Sequence, residues 1–293
     1  MTFIQANGAK LYTEACGDGP PIIFVHEFAD HLESWSAQIS ALSRRFTCIA
    51  FNARGYPPSE VPENPDLYSQ KIAAEDIHAV LEGYSLESAH IVGCSMGAFA
   101  ALHFAIMYPE KTSSIALMSC GYGAPKDQQA AYAKDAEMLA DKYLELGSEK
   151  MAELYANGAF RQQFKKKDFR AWEAFKGRLS KHSDLGAALT MRGVQRLRPS
   201  LYDLETEIRG VQAPTLIMVG DEDDWCIEPS IYLKRTLPTS GLCMLPRTGH
   251  GLNLEEPALT NSILSEFLTM VQSGNWTAKE DYLGKSALLS GLK

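Results

Sequence analysis

The stretch that most limits how this chain can fold is Gly93-Cys94-Ser95-Met96-Gly97-Ala98. It follows a short apolar run, His90 to Val92, that is typical of a buried strand, and it leads into a helical pattern that extends to Met107. A strand that turns this sharply into a helix brings the two backbones almost into contact, so the positions two before and two after Ser95 must be small. Both are glycine. The sequence therefore predicts a strand-turn-helix with the serine at its tip.

Strand and helix patterns alternate along much of the chain. A hairpin is predicted around Asn7 and Gly8, because this dipeptide tolerates the positive φ angles of a tight turn. Later apolar runs read as buried parallel strands, and amphipathic helical patterns lie between them. The predicted fold class is α/β, with a mostly parallel twisted sheet and helices on both faces. The predicted strands are Ile22 to Val25, Cys48 to Phe51, His90 to Val92, Ile115 to Met118, Leu216 to Val219 and Leu242 to Leu245.

A long interval separates the fourth and fifth of these strands, and it is too long for one crossover helix. We predict that residues 124–205 form an inserted helical cap on a core of residues 1–123 and 206–273, with a tail at 274–293. Gly147 followed by Ser148 predicts the end of one cap helix and the N-cap of the next. The first cap helix places four residues on one stripe, which we expect to pack mainly on the core: Tyr132, Leu139, Tyr143 and Leu146.

Composition excludes several functional classes. The formal net charge is -8, which argues against a nucleic-acid partner because phosphate contacts need clustered Lys and Arg. No run of about 18 uninterrupted apolar residues or signal-like N-terminus is present, so we expect neither membrane spanning nor secretion. Six scattered cysteines without a C-x-x-C pair suit buried thiols in a reducing cytoplasm. We expect a cytoplasmic monomer or homodimer.

A serine at such a turn becomes a nucleophile only with a base and an acid to orient that base. Among seven histidines, His250 alone stands in a glycine-flanked loop after a late strand. The preferred acid is Asp223, in the loop after the strand ending at Val219, with Asp221 and Asp224 as alternatives. Ligand sites of open parallel sheets form where such strands end. We therefore predict catalysis by Ser95, His250 and Asp223.

An oxyanion hole requires two backbone N–H groups aimed at the developing negative charge. The N–H of Met96 is the first candidate, and the loop after the strand at Ile22 suggests Phe28 as the second. His26 is expected to support this loop by hydrogen bonds. Phe28, Met96 and Trp225 flank the catalytic loops, and Trp172 is expected to lie above the pocket. We therefore predict that these four side chains bind the substrate. The predicted substrate is a small-molecule ester with an apolar acyl group.

Taken together, the turn at Ser95, the His26 loop, Asn52-Ala53-Arg54-Gly55, the loop from Gly220 to Asp223 and Gly249-His250 resemble the α/β-hydrolase family. The resemblance covers about residues 3 to 271. It implies an α/β-hydrolase fold, an acyl-enzyme and its hydrolysis, and no metal or organic cofactor. Two features depart from the family pattern: Glu27 stands where relatives usually have glycine, and Pro229 lies further beyond the acid than usual.

Several other functions remain open. The same residues could cleave a carbon-carbon bond in a vinylogous diketone, open a lactone or support perhydrolysis, and a related fold could bind ligands without catalysis. An aspartate-nucleophile dehalogenase or epoxide hydrolase is disfavoured because the turn carries serine. A zinc peptidase is suggested by His26-Glu27 with His31 nearby, but H-E-x-x-H needs its histidines four apart on a helix, and these are five apart.

Overall fold

The computed structural model describes residues 2–121 and 125–278. In this part of the chain the strands are β1 (Thr2–Ala6), β2 (Ala9–Cys16), β3 (Pro21–Val25), β4 (Thr47–Phe51), β5 (Ala89–Cys94), β6 (Thr112–Met118), β7 (Thr215–Gly220) and β8 (Ser240–Leu245). They form one eight-stranded sheet in the order β1-β2-β4-β3-β5-β6-β7-β8.

The sheet is antiparallel only at one edge. There β1 pairs with β2 across the predicted turn, where Gly8 has φ 75°, and β2 pairs with β4. From β4 onward every neighbouring pair of strands is parallel. The predicted opening hairpin and the mostly parallel sheet are therefore confirmed.

Helices cover both faces of the sheet, so alternate side chains of a central strand are buried on opposite faces. The helices are α1 (Ser36–Leu42), α2 (Gln70–Gly83), α3 (Met96–Met107), α4 (Gln129–Ala156), α5 (Gln162–Lys167), α6 (Phe169–Leu179), α7 (Asp184–Thr190), α8 (Glu205–Gly210), α9 (Asp224–Thr236), α10 (Leu252–Glu255) and α11 (Pro257–Gln272). In β3, Ile23 and Val25 lie on the face that packs against α2 and α3, whereas Ile22 and Phe24 lie on the face that packs against α1 and α11.

Helices α4 to α7 lie between β6 and β7 and share an apolar cluster of their own. Its largest members are aromatic side chains from these helices, packed against Phe28 and Tyr56 from loops of the sheet. The helical conformation of α4 is interrupted at Gly147, which has φ 75° and ψ 159°. The sequence predicts this interruption. The predicted N-cap role of Ser148 is wrong, because its hydroxyl has no hydrogen-bond partner and its N–H donates instead to Asp184 Oδ1 at 2.6 Å.

The ends of the predicted segments are described only in part. The cap boundary at 123/124 and residues 279–293 of the predicted tail lie outside the described residues. At the start of the tail, Trp276 packs on Phe267 with ring centroids 4.7 Å apart and donates its indole N–H to the carbonyl of Thr239. Among the described helices, none combines the length and the apolar character that crossing a bilayer requires.

Candidate active site

Ser95 stands between β5 and α3 in a strained backbone conformation, with φ 52° and ψ -111°. A positive φ in a residue other than glycine is uncommon and is often found at functional sites. The flanking glycines are required by close approach: a Cβ on Gly93 would lie 2.2 Å from the carbonyl oxygen of Gly97, and one on Gly97 would lie 2.1 Å from that of Val25. The predicted strand-turn-helix is therefore formed. Its neighbour Cys94 is buried, and burial raises the pKa of this thiol well above its usual value.

His250 and Asp223 are brought together from two loops that follow β8 and β7. The Nδ1–H of His250 donates to Asp223 Oδ2 at 2.8 Å, and the Asp223 side chain is fully buried. Ser95, Asp223 and His250 line the same cavity. The three residues that the sequence predicts as catalytic are thus gathered at one end of the sheet.

The pairing changes the pKa of both partners. Burial disfavours the charged imidazolium, but the Asp223 carboxylate and its hydrogen bond outweigh burial, so the pKa of His250 is raised above 6.5. Burial likewise raises the pKa of Asp223, and the charge and hydrogen bond of His250 reverse this, so the net pKa is lowered. Asp223 therefore stays ionised and stabilises a proton on His250.

The two alternative acids have other surroundings. Asp221 Oδ1 accepts the N–H of Thr248 at 3.2 Å and so ties the loop after β7 to the loop that carries His250. Asp224 is exposed and begins α9. Of the three aspartates, Asp223 is the one that contacts the imidazole.

The loop that carries His250 is also held by a buried carboxylate. Glu255 Oε2 accepts the N–H of Gly249 at 2.9 Å, and Glu255 Oε1 pairs with Lys167 Nζ of α5 at 3.0 Å. The N–H of His250 donates to the carbonyl of Phe160 at 3.4 Å. Phe160 and Lys167 belong to the helices between β6 and β7, residues 125–205, which are called the helical segment below. The position of the imidazole therefore depends on this helical segment as well as on the sheet.

His26 supports the loop after β3, as its sequence context predicts. Its Nδ1–H donates to the carbonyl of Glu27 at 2.7 Å, and its Nε2 accepts the N–H of Ala53 at 3.0 Å. Burial lowers the pKa of His26 to about 4, so the ring is neutral. Both ring nitrogens are occupied, which leaves none for a zinc ion shared with His31.

Glu27, which stands where relatives usually have glycine, has a partner in this structure. Its carboxylate forms an ion pair with Arg161 of the helical segment, and the two residues are 2% and 1% exposed. The Arg161 guanidinium also lies 4.8 Å from the centroid of the Phe175 ring and 5.5 Å from that of Tyr155. In place of a flexible glycine, this chain has a charged link between the loop after β3 and the helices above it.

A second ion pair joins the same loop to the same helices. Arg178 of α6 donates to both carboxylate oxygens of Asp30, at 2.8 and 2.7 Å. A bidentate pair fixes orientation as well as distance. The Tyr56 hydroxyl also donates to the carbonyl of Phe28 at 3.0 Å. The backbone around Phe28 is thus held from two sides.

The cavity above Ser95 has a volume of about 370 Å³. Of the predicted substrate-binding residues, Phe28 and Trp225 line it, with Phe28 buried and Trp225 57% exposed at the rim. The helical segment supplies further lining residues that sequence reasoning missed or assigned to packing: Tyr132, Asp135, Leu139, Tyr155, Phe160, Met191, Gln195 and Arg198.

Two predicted side chains lie elsewhere. Met96 lines a separate cavity of about 30 Å³ and is not among the residues that line the larger cavity. Trp172 is 2% exposed inside the apolar cluster of the helices, where its indole N–H donates to the carbonyl of Ala156 at 2.7 Å. Neither residue lines the cavity above Ser95, and their contact with substrate stays a prediction. The Met96 N–H, at the first position of α3, keeps its predicted role as a hypothesis, since the first N–H groups of a helix have no acceptor within it.

One sequence signal indicates some of the cavity-lining residues that the helices contribute. The predicted stripe of the first cap helix includes Tyr132 and Leu139, which line the cavity, whereas Tyr143 is buried and Leu146 is 39% exposed. The apolar stripe of one helix can thus contribute some residues to packing and others to the lining of a cavity. Residues Met191–Gln195 form a π-helical turn, a rare element that is frequent at functional sites, but it has no sequence signature that we could have used.

Comparison with known proteins gives a consistent result. The family model described as alpha/beta hydrolase fold matches residues 20–257. A putative 2-succinyl-6-hydroxy-2,4-cyclohexadiene-1-carboxylate synthase of Bacillus subtilis is 25% identical, over 85% of this chain and 90% of that protein. Epoxide hydrolase 1 of Caenorhabditis elegans is 24% identical, over 92% and 70% respectively. The solved structure of a thermophilic esterase from Thermogutta terrifontis superposes with a TM-score of 0.82 at 22% identity, over 92% of this chain and 98% of that one.

Proposed function

The chain belongs to the alpha/beta hydrolase fold family, and we propose that it hydrolyses carboxylic esters through an acyl-enzyme formed on Ser95. The observation that carries this proposal is the buried hydrogen bond from His250 to Asp223 in a cavity that Ser95 also lines. Residues 124–205 act in this proposal as a cap that supplies the substrate pocket. Support for the expected cytoplasmic location comes from the six cysteines, which are free.

The reaction requires two half-reactions. Ser95 Oγ attacks the ester carbonyl and transfers its proton to His250 Nε2. The oxyanion that forms accepts hydrogen bonds from the backbone N–H groups of Met96 and Phe28. The intermediate collapses as His250 returns the proton to the departing alcohol. Water then attacks the acyl-enzyme with His250 as base, the proton passes to Ser95, and the carboxylic acid leaves.

Epoxide opening fits this site less well despite the relative of that name. A serine that opened an epoxide would form an ether, which has no carbonyl for water to attack, so the enzyme could not be regenerated. Lactone opening and cleavage of a vinylogous diketone need only the same three residues and the same oxyanion site. They remain alternatives to ester hydrolysis.

A substrate panel tests the proposal. We expect p-nitrophenyl acetate, butyrate and octanoate to be hydrolysed, with the apolar lining favouring the longer acyl chains of this series, and Ser95→Ala to abolish the activity. A lactone, a vinylogous diketone and styrene oxide belong in the same panel. If only the diketone or only the lactone turns over in a Ser95-dependent way, the corresponding alternative replaces the esterase proposal. Full ester hydrolysis by Ser95→Ala contradicts the mechanism.

A further inference from the structure

Arg198 differs from the other buried arginines of this chain. Arg54, which is 4% exposed, pairs with Asp76, and Arg161 pairs with Glu27. Arg198 is 8% exposed, yet no aspartate or glutamate among residues 2–121 and 125–278 forms an ion pair with it. Its Nε and Nη2 atoms are buried and have no hydrogen-bond partner in that part of the chain. Because a buried charge is costly unless it is paired, Arg198 calls for an anion beyond those that the described residues supply.

The surroundings of Arg198 do not provide that anion. Two carboxylates line the cavity, and neither is available: Asp223 is bound to His250, and Asp135 lies on an exposed position of α4 without an ion pair to Arg198. The sequence between the two described ranges, residues 122–124, has no acidic side chain. The guanidinium carbon lies 4.5 Å from the centroid of the Phe99 ring. A cation–π contact of this kind contributes less than the cost of burying an unpaired charge.

Arg198 is also well placed relative to the proposed nucleophile. The N–H of Phe99 donates to the carbonyl of Ser95 at 3.1 Å, so Phe99 lies one turn of α3 from Ser95, about 6 Å along the helix axis. Arg198, whose guanidinium lies above Phe99, is one of the residues that line the same cavity as Ser95. On its other side, Nη1 lies 3.1 Å from the point that a Cβ on Gly121 would occupy, so a side chain at this position would crowd that end of the guanidinium.

We propose that Arg198 binds a carboxylate of the substrate, so that the enzyme acts on esters that carry an anion a few methylene groups from the ester carbonyl. The apolar walls contact the hydrocarbon spacer, and the guanidinium pairs with the anion. This inference deepens the proposed function, and its catalytic part rests on it. A neutral ester fits the same walls but leaves the buried guanidinium unpaired.

Two pairs of esters test the proposal by turnover. Monoethyl adipate and ethyl hexanoate differ by a carboxylate on the acyl side, and ω-acetoxypentanoate and pentyl acetate differ by one on the alcohol side. We expect the anionic member of at least one pair to have the higher kcat/KM. In Arg198→Met the ratio of anionic to neutral kcat/KM should fall roughly 10- to 100-fold, the effect of a charge-assisted hydrogen bond of about 1.5–3 kcal/mol. Arg198→Lys should retain part of the ratio.

The matched control is Arg196→Met, which removes the same charge from an exposed position two residues away. It should leave the ratio unchanged. An equal fall in Arg196→Met assigns the effect to general electrostatic attraction and overturns the proposal, as does an unchanged ratio in Arg198→Met.

Binding to catalytically inactive protein separates this inference from the proposed function. Calorimetric titration of the four esters into Ser95→Ala and Ser95→Ala/Arg198→Met should show tighter binding of an anionic ester, lost with Arg198. If wild-type protein hydrolyses no ester but this difference in Kd is found, the esterase proposal fails and the anion site stands. Equal Kd values for both proteins overturn the anion site, whatever the turnover results.

Discussion

Replacing Arg161 by methionine should destabilise the protein strongly, because it leaves the Glu27 carboxylate buried without its partner. Methionine keeps an apolar stem between the rings of Tyr155 and Phe175, so most of the packing survives and the lost charge dominates. Both members of the ion pair are almost fully buried. Removal of one partner from a buried pair costs about 3–5 kcal/mol, which for a chain of this size lowers Tm by roughly 10 °C.

The measurement is equilibrium unfolding in urea for wild type, Glu27→Gln, Arg161→Met and the double variant. The double variant should recover at least about 2 kcal/mol relative to the sum of the single losses, because neither charge is then stranded. Lys142→Met is the control, since the exposed pair of Lys142 with Glu145 should contribute less than about 1 kcal/mol. Additive losses, or a loss for Arg161→Met as small as that of the control, would refute the reasoning.

The same variants should move the pH profile of catalysis in opposite directions. The charge of Arg161 lowers the pKa of His250 and that of Glu27 raises it. Removal of Arg161 should therefore move the acidic limb of kcat/KM to higher pH, and Glu27→Gln should move it to lower pH. Identical profiles in both variants would indicate that the pair acts only through folding.

Other expected outcomes follow from the site. Since neutral His250 is the active base and Asp223 raises its pKa, wild-type kcat/KM should fall on acidification with a midpoint above pH 6.5, and a profile flat from about pH 5 to 8 would contradict this. Asp223→Asn should reduce kcat about ten-thousand-fold and shift the midpoint down, because burial of the imidazole then acts unopposed; stopped-assay kinetics across pH check both effects. Gly97→Ala should prevent stable folding, because the added Cβ would lie 2.1 Å from a backbone oxygen of Val25; a cooperative thermal transition at the wild-type Tm would be the contrary result.

The sequence predicts the features that depend on local pattern. The hairpin at Gly8, the parallel strands and the turn at Ser95 all follow from alternation, apolar runs and glycine positions, and the structure contains them. The sequence also predicts the contact between Asp223 and His250, because the ends of neighbouring parallel strands meet at one edge of the sheet. The spacing in the sequence does not decide whether Asp221, Asp223 or Asp224 is the acid that pairs with His250. Only the course of the loop after β7 distinguishes the three.

The wall opposite the sheet could not be predicted in this way. An amphipathic pattern identifies the buried face of a helix but not the element that covers it, so Trp172 could be taken for a pocket residue although it packs inside the helical cluster. For the same reason, the sequence does not reveal the partner of Glu27 or the lack of an acidic partner for Arg198 among residues 2–121 and 125–278. Both depend on how helices separated by many residues pack on the loops of the sheet.

Identification of the nucleophile tests the central claim most directly. The purified protein is treated with a fluorophosphonate, digested and analysed by mass spectrometry, with Ser95→Ala and His250→Ala treated in parallel. The account predicts one adduct per chain on the peptide that contains Ser95, none on that peptide in Ser95→Ala, and a strongly reduced rate of labelling in His250→Ala. A stoichiometric adduct on another residue, or labelling of Ser95 at the same rate without His250, would contradict it.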